Sequence, residues 1–162
     1  MAKNKDKNHL VNTLMSYAAD IFENENFQGM QNHIQHGAVS TYDHVLNVAG
    51  FALKINKRLK INCDEKQLVR GALLHDYFLY DWHDKRDKND ENRMKYHGVN
   101  HPKIALKNAT RDYDLTHKEI DCIRKHMWPL TLRNMPACRE AWVVTLADKC
   151  AAIYETLICR RG

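Results

Sequence analysis

Residues 66–80 read KQLVRGALLHDYFLY. The segment is apolar enough to form a central helix, buried on more than one face. Asp64, with Gln67 three residues on, resembles a capping box that opens it. Helical periodicity continues on both sides. Upstream, residues 9–24 place Leu10, Leu14, Tyr17, Ala18 and Ile21 on one face. Ser40 or Thr41 can cap a helix running to about residue 60, with Val48, Phe51, Ala52, Ile55 and Leu59 on one stripe. Downstream, Pro102 suits the first turn of a helix through about residue 111. Thr116 and Glu119 form a T-x-x-E box for another helix, which ends near Trp128-Pro129. Residues 138–158, CREAWVVTLADKCAAIYETLI, are apolar on most sides and are expected to be buried. No segment alternates as a strand does. The expected fold is all-α, a single-domain helical bundle of about six helices over residues 1–162.

The composition agrees. A chain of 162 residues fits one domain and can bury a core without staples. Its 44% hydrophobic and 28% charged residues describe a folded chain, and six Gly with three Pro favour helices over strands. The net charge of +5 is a mild bias toward anionic partners. The lysines are scattered and no nucleic-acid motif accompanies them, so nucleic-acid binding is not expected. Five cysteines without C-x-x-C spacing read as reduced thiols of a cytoplasmic protein. The lysine-rich start has no apolar run behind it, so no signal peptide is expected, and no stretch approaches a membrane span. Residues 83–100, HDKRDKNDENRMKYHGVN, are almost entirely polar and read as a solvated loop or as a lid.

The chemical signal lies in ten histidines and in where some of them fall. His44 shares the stripe of Val48, Phe51, Ala52 and Ile55. His75 and Asp76 sit inside the apolar run GALLHDYFLY. His126 follows Cys122 by one turn on an inner face, and Asp148 is inward between Val144 and Ala151. A lone inward histidine is more often a satisfied core residue, and an HD dipeptide is common. His83-Asp84 is a second such pair without an apolar frame, and it reads as solvated. Buried carboxylates need partners, and several His and Asp groups converging from separate elements share an obvious one, a metal ion.

The ordered series His44, His75-Asp76, His101, His126, Asp148 resembles the HD-domain metal-dependent phosphohydrolase superfamily in its H…HD…H…H…D form. The contexts YDHVLNVA, GALLHD, HPKIA, IRKHMWP and LADK carry the resemblance over about residues 36–156. It implies a central metal site, with His44, His75, Asp76 and Asp148 on one metal. His101 and His126 imply a second metal, with Asp76 bridging. HGVNHP offers both His97 and His101, and the H-P-x-x-A context favours His101.

The resemblance further implies cleavage of a phosphoester or phosphoanhydride of a nucleotide or small phosphorylated metabolite by a metal-activated hydroxide. The ligands suit Fe, Mn, Co, Ni or Zn. Asp81 and His97 are candidates for the general acid, beside Asp76 in the catalytic set. Arg133 and Lys149 are candidates for phosphate binding. Lys85, Arg86, Arg93 and Lys95 in the polar segment agree with an anionic ligand. The H-D-x-G-K run of many members is absent. The stretch Tyr77–Trp82 stands there instead, either as core packing or as a wall of the pocket. There is no G-Y-P motif, so cyclic di-GMP turnover is not expected. A di-iron oxygenase on the same scaffold and a non-catalytic nucleotide- or metal-binding module are the rival readings. Oligomeric state is left open.

Overall fold

The computed structural model describes residues 2–36, 39–80 and 97–159. The side chains of 2–5, 36, 97–99, 158 and 159 lie outside that description. The described chain is all-α apart from one short hairpin, and the helix over Glu65–Leu74 is its centre. The helices are α1 (Ala2–Phe22), α2 (Glu25–Gly29), α3 (Thr41–Leu59), α4 (Glu65–Leu74), α5 (His97–Asp112), α6 (His117–Lys125) and α7 (Arg139–Cys159). Between α2 and α3 lie a single 3₁₀ turn and two strands, β1 (Ile34–His36) and β2 (Val39–Ser40). The strands pair antiparallel, with Ile34 opposite Ser40 and His36 opposite Val39. Three-residue strands carry too little alternation to be read from sequence, and this hairpin was not expected.

In α4, Leu68, Val69, Ala72, Leu73 and Leu74 are all fully buried. Around it pack Leu14 and Ile21 of α1, Val45, Val48 and Ala52 of α3, Ala105 and Ala109 of α5, Ile123 of α6, and Val144, Ala147 and Ala151 of α7. The caps follow the side chains. Ser40 accepts from the Asp43 N–H at the start of α3, and Asp64 accepts from the Gln67 N–H at the start of α4. The reciprocal half of the box at α4 does not form. The Gln67 amide donates to the Asp64 carboxylate, and the Asp64 N–H donates to Glu140 on α7. At α6 both halves of the box are present.

Several sequence expectations are corrected. The first helix begins at Ala2, is kinked at Ala18, and ends at Phe22. Leu59 is exposed, because α3 turns its inner face through Val45, Ala49 and Ala52 rather than along the longer stripe. The helix expected at Pro102 starts at His97, which places Pro102 inside α5 and makes the end of the polar segment helical. The expectation of a loop or lid otherwise falls on residues 83–96, outside the described residues. So do His83-Asp84, Lys85, Arg86, Arg93 and Lys95. Helix α7 is not buried all round. Trp142, Leu146, Ile153 and Leu157 form an exposed outer stripe while the opposite face lines the core. Among the described residues, no helix is long and apolar enough to cross a membrane.

Candidate metal centre

Three helices and the C-terminal ends of two more deliver polar side chains to one buried point. His44 comes from the second turn of α3, His75 and Asp76 follow the last turn of α4, His101 sits in the second turn of α5, His126 caps α6, and Asp148 is midway along α7. His44 and His75 are inaccessible, and His126, Asp76 and His101 are nearly so. This convergence is possible because α4 is central: its C-terminal end opens among the other four helices.

The histidine rings are oriented from behind. His75 Nδ1 lies 2.7 Å from the Ala72 carbonyl, and His126 Nδ1 lies 2.9 Å from the Ile123 carbonyl. A carbonyl only accepts, so each Nδ1 carries the proton and each Nε2 presents a lone pair inward. His44 is held by a carboxylate, with Nδ1 2.9 Å from Glu155 Oε2. Glu155 is fixed in turn by the Asn47 amide, which donates to Oε1 at 2.8 Å.

On the inner side, the two oxygens of Asp76 face different neighbours. Oδ2 lies 3.5 Å from His75 Nε2 and 3.8 Å from His44 Nε2. Oδ1 lies 3.2 Å from His101 Nε2 and 3.5 Å from His126 Nε2. Asp148 Oδ1 completes the first side, 3.3 Å from His44 Nε2 and 3.7 Å from His75 Nε2. His101 Nε2 and His126 Nε2 are 2.8 Å apart on the second side. Two ligand groups can be drawn from this geometry among the described residues, His44 with His75 and Asp148, and His75 with Asp76 and His126.

Electrostatics reflect the crowding. Burial alone would raise the Asp76 carboxyl, but His75, His101 and His126 outweigh it and hold it well below the usual carboxylate range. Asp148 is likewise held down against its burial by the His44 and His75 rings beside it. Burial would lower the His44 imidazole, yet the Asp148, Glu155 and Asp76 carboxylates lift it to about 10. His126 goes the other way. Burial and the His75 ring push it down to about 3, so its ring is neutral. His75 Nε2 and Asp76 Oδ1 are buried with no hydrogen-bond partner. Buried polar atoms left so are costly unless something absent from the chain meets them, and imidazole nitrogens beside ionised carboxylates are a donor set that divalent cations take. The residues present fit the metal site.

Two residues at the centre were missed in the sequence. Glu155 follows Asp148 by two helical turns on the same face, and that spacing could have revealed it. Gln35 had no such signal. It lies in β1, donates from Nε2 to Asp76 Oδ2 at 2.7 Å, and is held by the Thr41 hydroxyl, 3.3 Å from its Oε1. The aromatic run after Asp76 is buried at Tyr77, Phe78 and Tyr80, and the Phe78 ring stands edge-on to His101 with centroids 6.0 Å apart. Lys149 donates to the His126 carbonyl at 3.2 Å and lies 4.0 Å from Asp148 Oδ2. Arg133 is exposed in the loop between α6 and α7. Asp81 lies outside the described residues. His97 opens α5 one turn before His101, with its side chain outside the description.

A protein-family model described as HD domain matches residues 41–153, which span the elements carrying these side chains. No curated protein and no solved structure matches the chain.

Proposed function

The chain belongs to the HD-domain family, and from that premise we propose that it is a binuclear metal-dependent phosphohydrolase, acting on a phosphoester or phosphoanhydride of a nucleotide or other small phosphorylated metabolite. The observation that supports this best is the split of Asp76. Its Oδ2 faces His44 and His75, and its Oδ1 faces His101 and His126. A carboxylate with two occupied sides is suited to bridge two cations. His44, His75 and Asp148 would hold one, and His101 and His126 the other.

Divalent cations there supply Lewis acidity and make water nucleophilic near neutral pH. The remaining work falls to the chain. The Ala72 and Ile123 carbonyls keep the His75 and His126 lone pairs aimed inward, and Glu155 does so for His44. Phe78, buried and edge-on to the His101 ring, covers that side of the centre. Lys149, beside Asp148 and partly exposed, is placed to meet a phosphoryl oxygen, with Arg133 as a second cation from the neighbouring loop. Asp81 and His97 are the proposed proton donors to the leaving group. His97 stands one helical turn from His101.

The test is elemental analysis of freshly purified protein beside His126→Ala and Asp148→Ala, with a phosphate-release screen over phosphorylated compounds and several divalent metals. The expected result is two metal ions per chain, fewer in each variant, and metal-dependent phosphate release. Near-zero metal in all three proteins would overturn the reading, as would oxygen consumption in place of phosphate release.

A further inference from the structure

The outer face of α7 borders a cavity of about 380 Å³, a size within the range of small-molecule sites. Trp142 and Leu146 of α7 form its wall together with Ile61, just past α3, and Trp128, just past α6. The two indole rings meet edge to face, with centroids 4.9 Å apart and planes at 73°. Trp142 and Leu146 are both exposed, so the wall is open to solvent. None of the six side chains that converge on the metal centre lines this cavity.

Charge and polarity restrict what the cavity can hold. No acidic residue lines it, and its charged residues are both cations, Arg139 and Lys149. The surface it presents is almost wholly apolar, so these two contribute their stems and keep their charged heads outside. Lys149 is already engaged. Its Nζ donates to the His126 and Thr145 carbonyls at 3.2 and 3.4 Å and lies 4.0 Å from Asp148 Oδ2. Arg139 donates from Nη1 to the Ile61 carbonyl at 3.0 Å, and among the described residues no carboxylate pairs with it. The rest of its guanidinium fork is available to a carboxylate. An apolar body with one anionic end fits this arrangement. A nucleobase or sugar does not, because the cavity would strip water from several polar edges and offer in return only the unpartnered Thr145 hydroxyl. A two-fold contact between copies would gather the Arg139 and Lys149 charges of both, with no acid in the wall to offset them.

We propose that this cavity is a binding site for a small amphipathic carboxylate, alkyl or aryl, with its apolar body against Trp128, Trp142 and Leu146 and its carboxylate on Arg139. Burial of the body supplies the affinity, and the unpaired guanidinium supplies the preference for an anion. The site stands apart from the phosphohydrolase reading and does not depend on it.

The experiment titrates the purified protein by calorimetry with sodium octanoate and, separately, with octylammonium chloride. Octanoate is expected to bind at a single site, about tenfold or more tightly than the cation of equal chain length. Trp142→Ala and Leu146→Asp, both on the exposed stripe, are each expected to weaken octanoate about tenfold, and melting curves beside them check that the fold is kept. Arg139→Gln removes the preference for the anion. His126→Ala, which disturbs the metal centre, leaves octanoate binding intact, so the two readings fail separately. Octanoate that does not bind, or binds no better than octylammonium, would overturn the proposal. So would binding lost in His126→Ala and kept in Trp142→Ala, which would put the carboxylate on the metals. A dimer in sedimentation that Trp142→Ala disperses and octanoate leaves whole would assign the face to a second copy instead.

Discussion

Glu155 decides how His44 faces the metal centre. Its carboxylate is buried, receives the Asn47 amide on one oxygen and meets His44 Nδ1 on the other. A carboxylate behind a ligating imidazole fixes the ring and raises its basicity, and removing such a partner typically lowers metal affinity about 10–100-fold. Glu155→Ala is therefore expected to weaken metal binding by that order in a competition titration against a chelator, with Glu155→Gln the milder of the two. Affinity unchanged in both would show that His44 is oriented by packing alone. At this scale the sequence exposed the inward polar residues, because His75-Asp76 stands in a run that is otherwise apolar. It did not expose Gln35, whose role arises from a hairpin too short to carry a pattern.

Among the elements, α6 depends most on its cap. It has nine residues, too few to be stable alone, and it must present His126 at its end. The Thr116 hydroxyl accepts from the Glu119 N–H. Glu119 Oε2 accepts from the Thr116 N–H at 2.7 Å, while its Oε1 accepts from Arg70 Nε at 2.7 Å. Thr116→Ala is expected to cost about 1 kcal/mol, seen as a lower urea midpoint at unchanged slope. A second tie joins α5 to α2 and to the turn after α4. Asp112 accepts from Arg111, from the Tyr77 hydroxyl at 2.8 Å and from the Asn26 amide at 3.2 Å. Against its partial burial, these bonds, led by Arg111, bring the Asp112 carboxyl from 3.8 down to about 2. A carboxyl depressed on folding adds stability above its unfolded pKa, and that stability is lost as pH falls through the folded value. The stability difference between the native chain and Asp112→Asn should hold at neutral pH and shrink between about pH 4 and pH 2, as urea unfolding across that range would reveal. A difference independent of pH would remove the ionised carboxylate from the account. The caps at Thr116 and Asp64 were readable from side-chain chemistry. The outer face of α7 was not, because an apolar stripe does not say which of its sides a neighbour covers.

For the molecule as a whole, the metal centre sits where five elements meet, so ligand binding there is coupled to the entire fold. A cation that binds only the folded chain stabilises it by about 2.7 kcal/mol at a hundredfold excess over Kd. Stripping with a chelator should lower Tm, manganese added back should restore it, and His126→Ala should blunt the recovery, all visible by calorimetry. A Tm indifferent to chelator and metal would mean the cage forms without needing its cations.

The sequence by itself determined the helical class and the inward candidates His44, His75, Asp76, His126 and Asp148, while His101 came with the family resemblance. Helical periodicity is local, and a charged or imidazole side chain in an apolar frame is visible without coordinates. Tertiary structure alone decided the rest. Which oxygen of Asp76 faces which histidine depends on how the end of α4 meets α3, α5, α6 and α7. The buttress from Glu155 depends on the same packing. These are contacts between segments far apart in the chain, and their geometry is set by the three-dimensional arrangement of the helices, which no local pattern encodes.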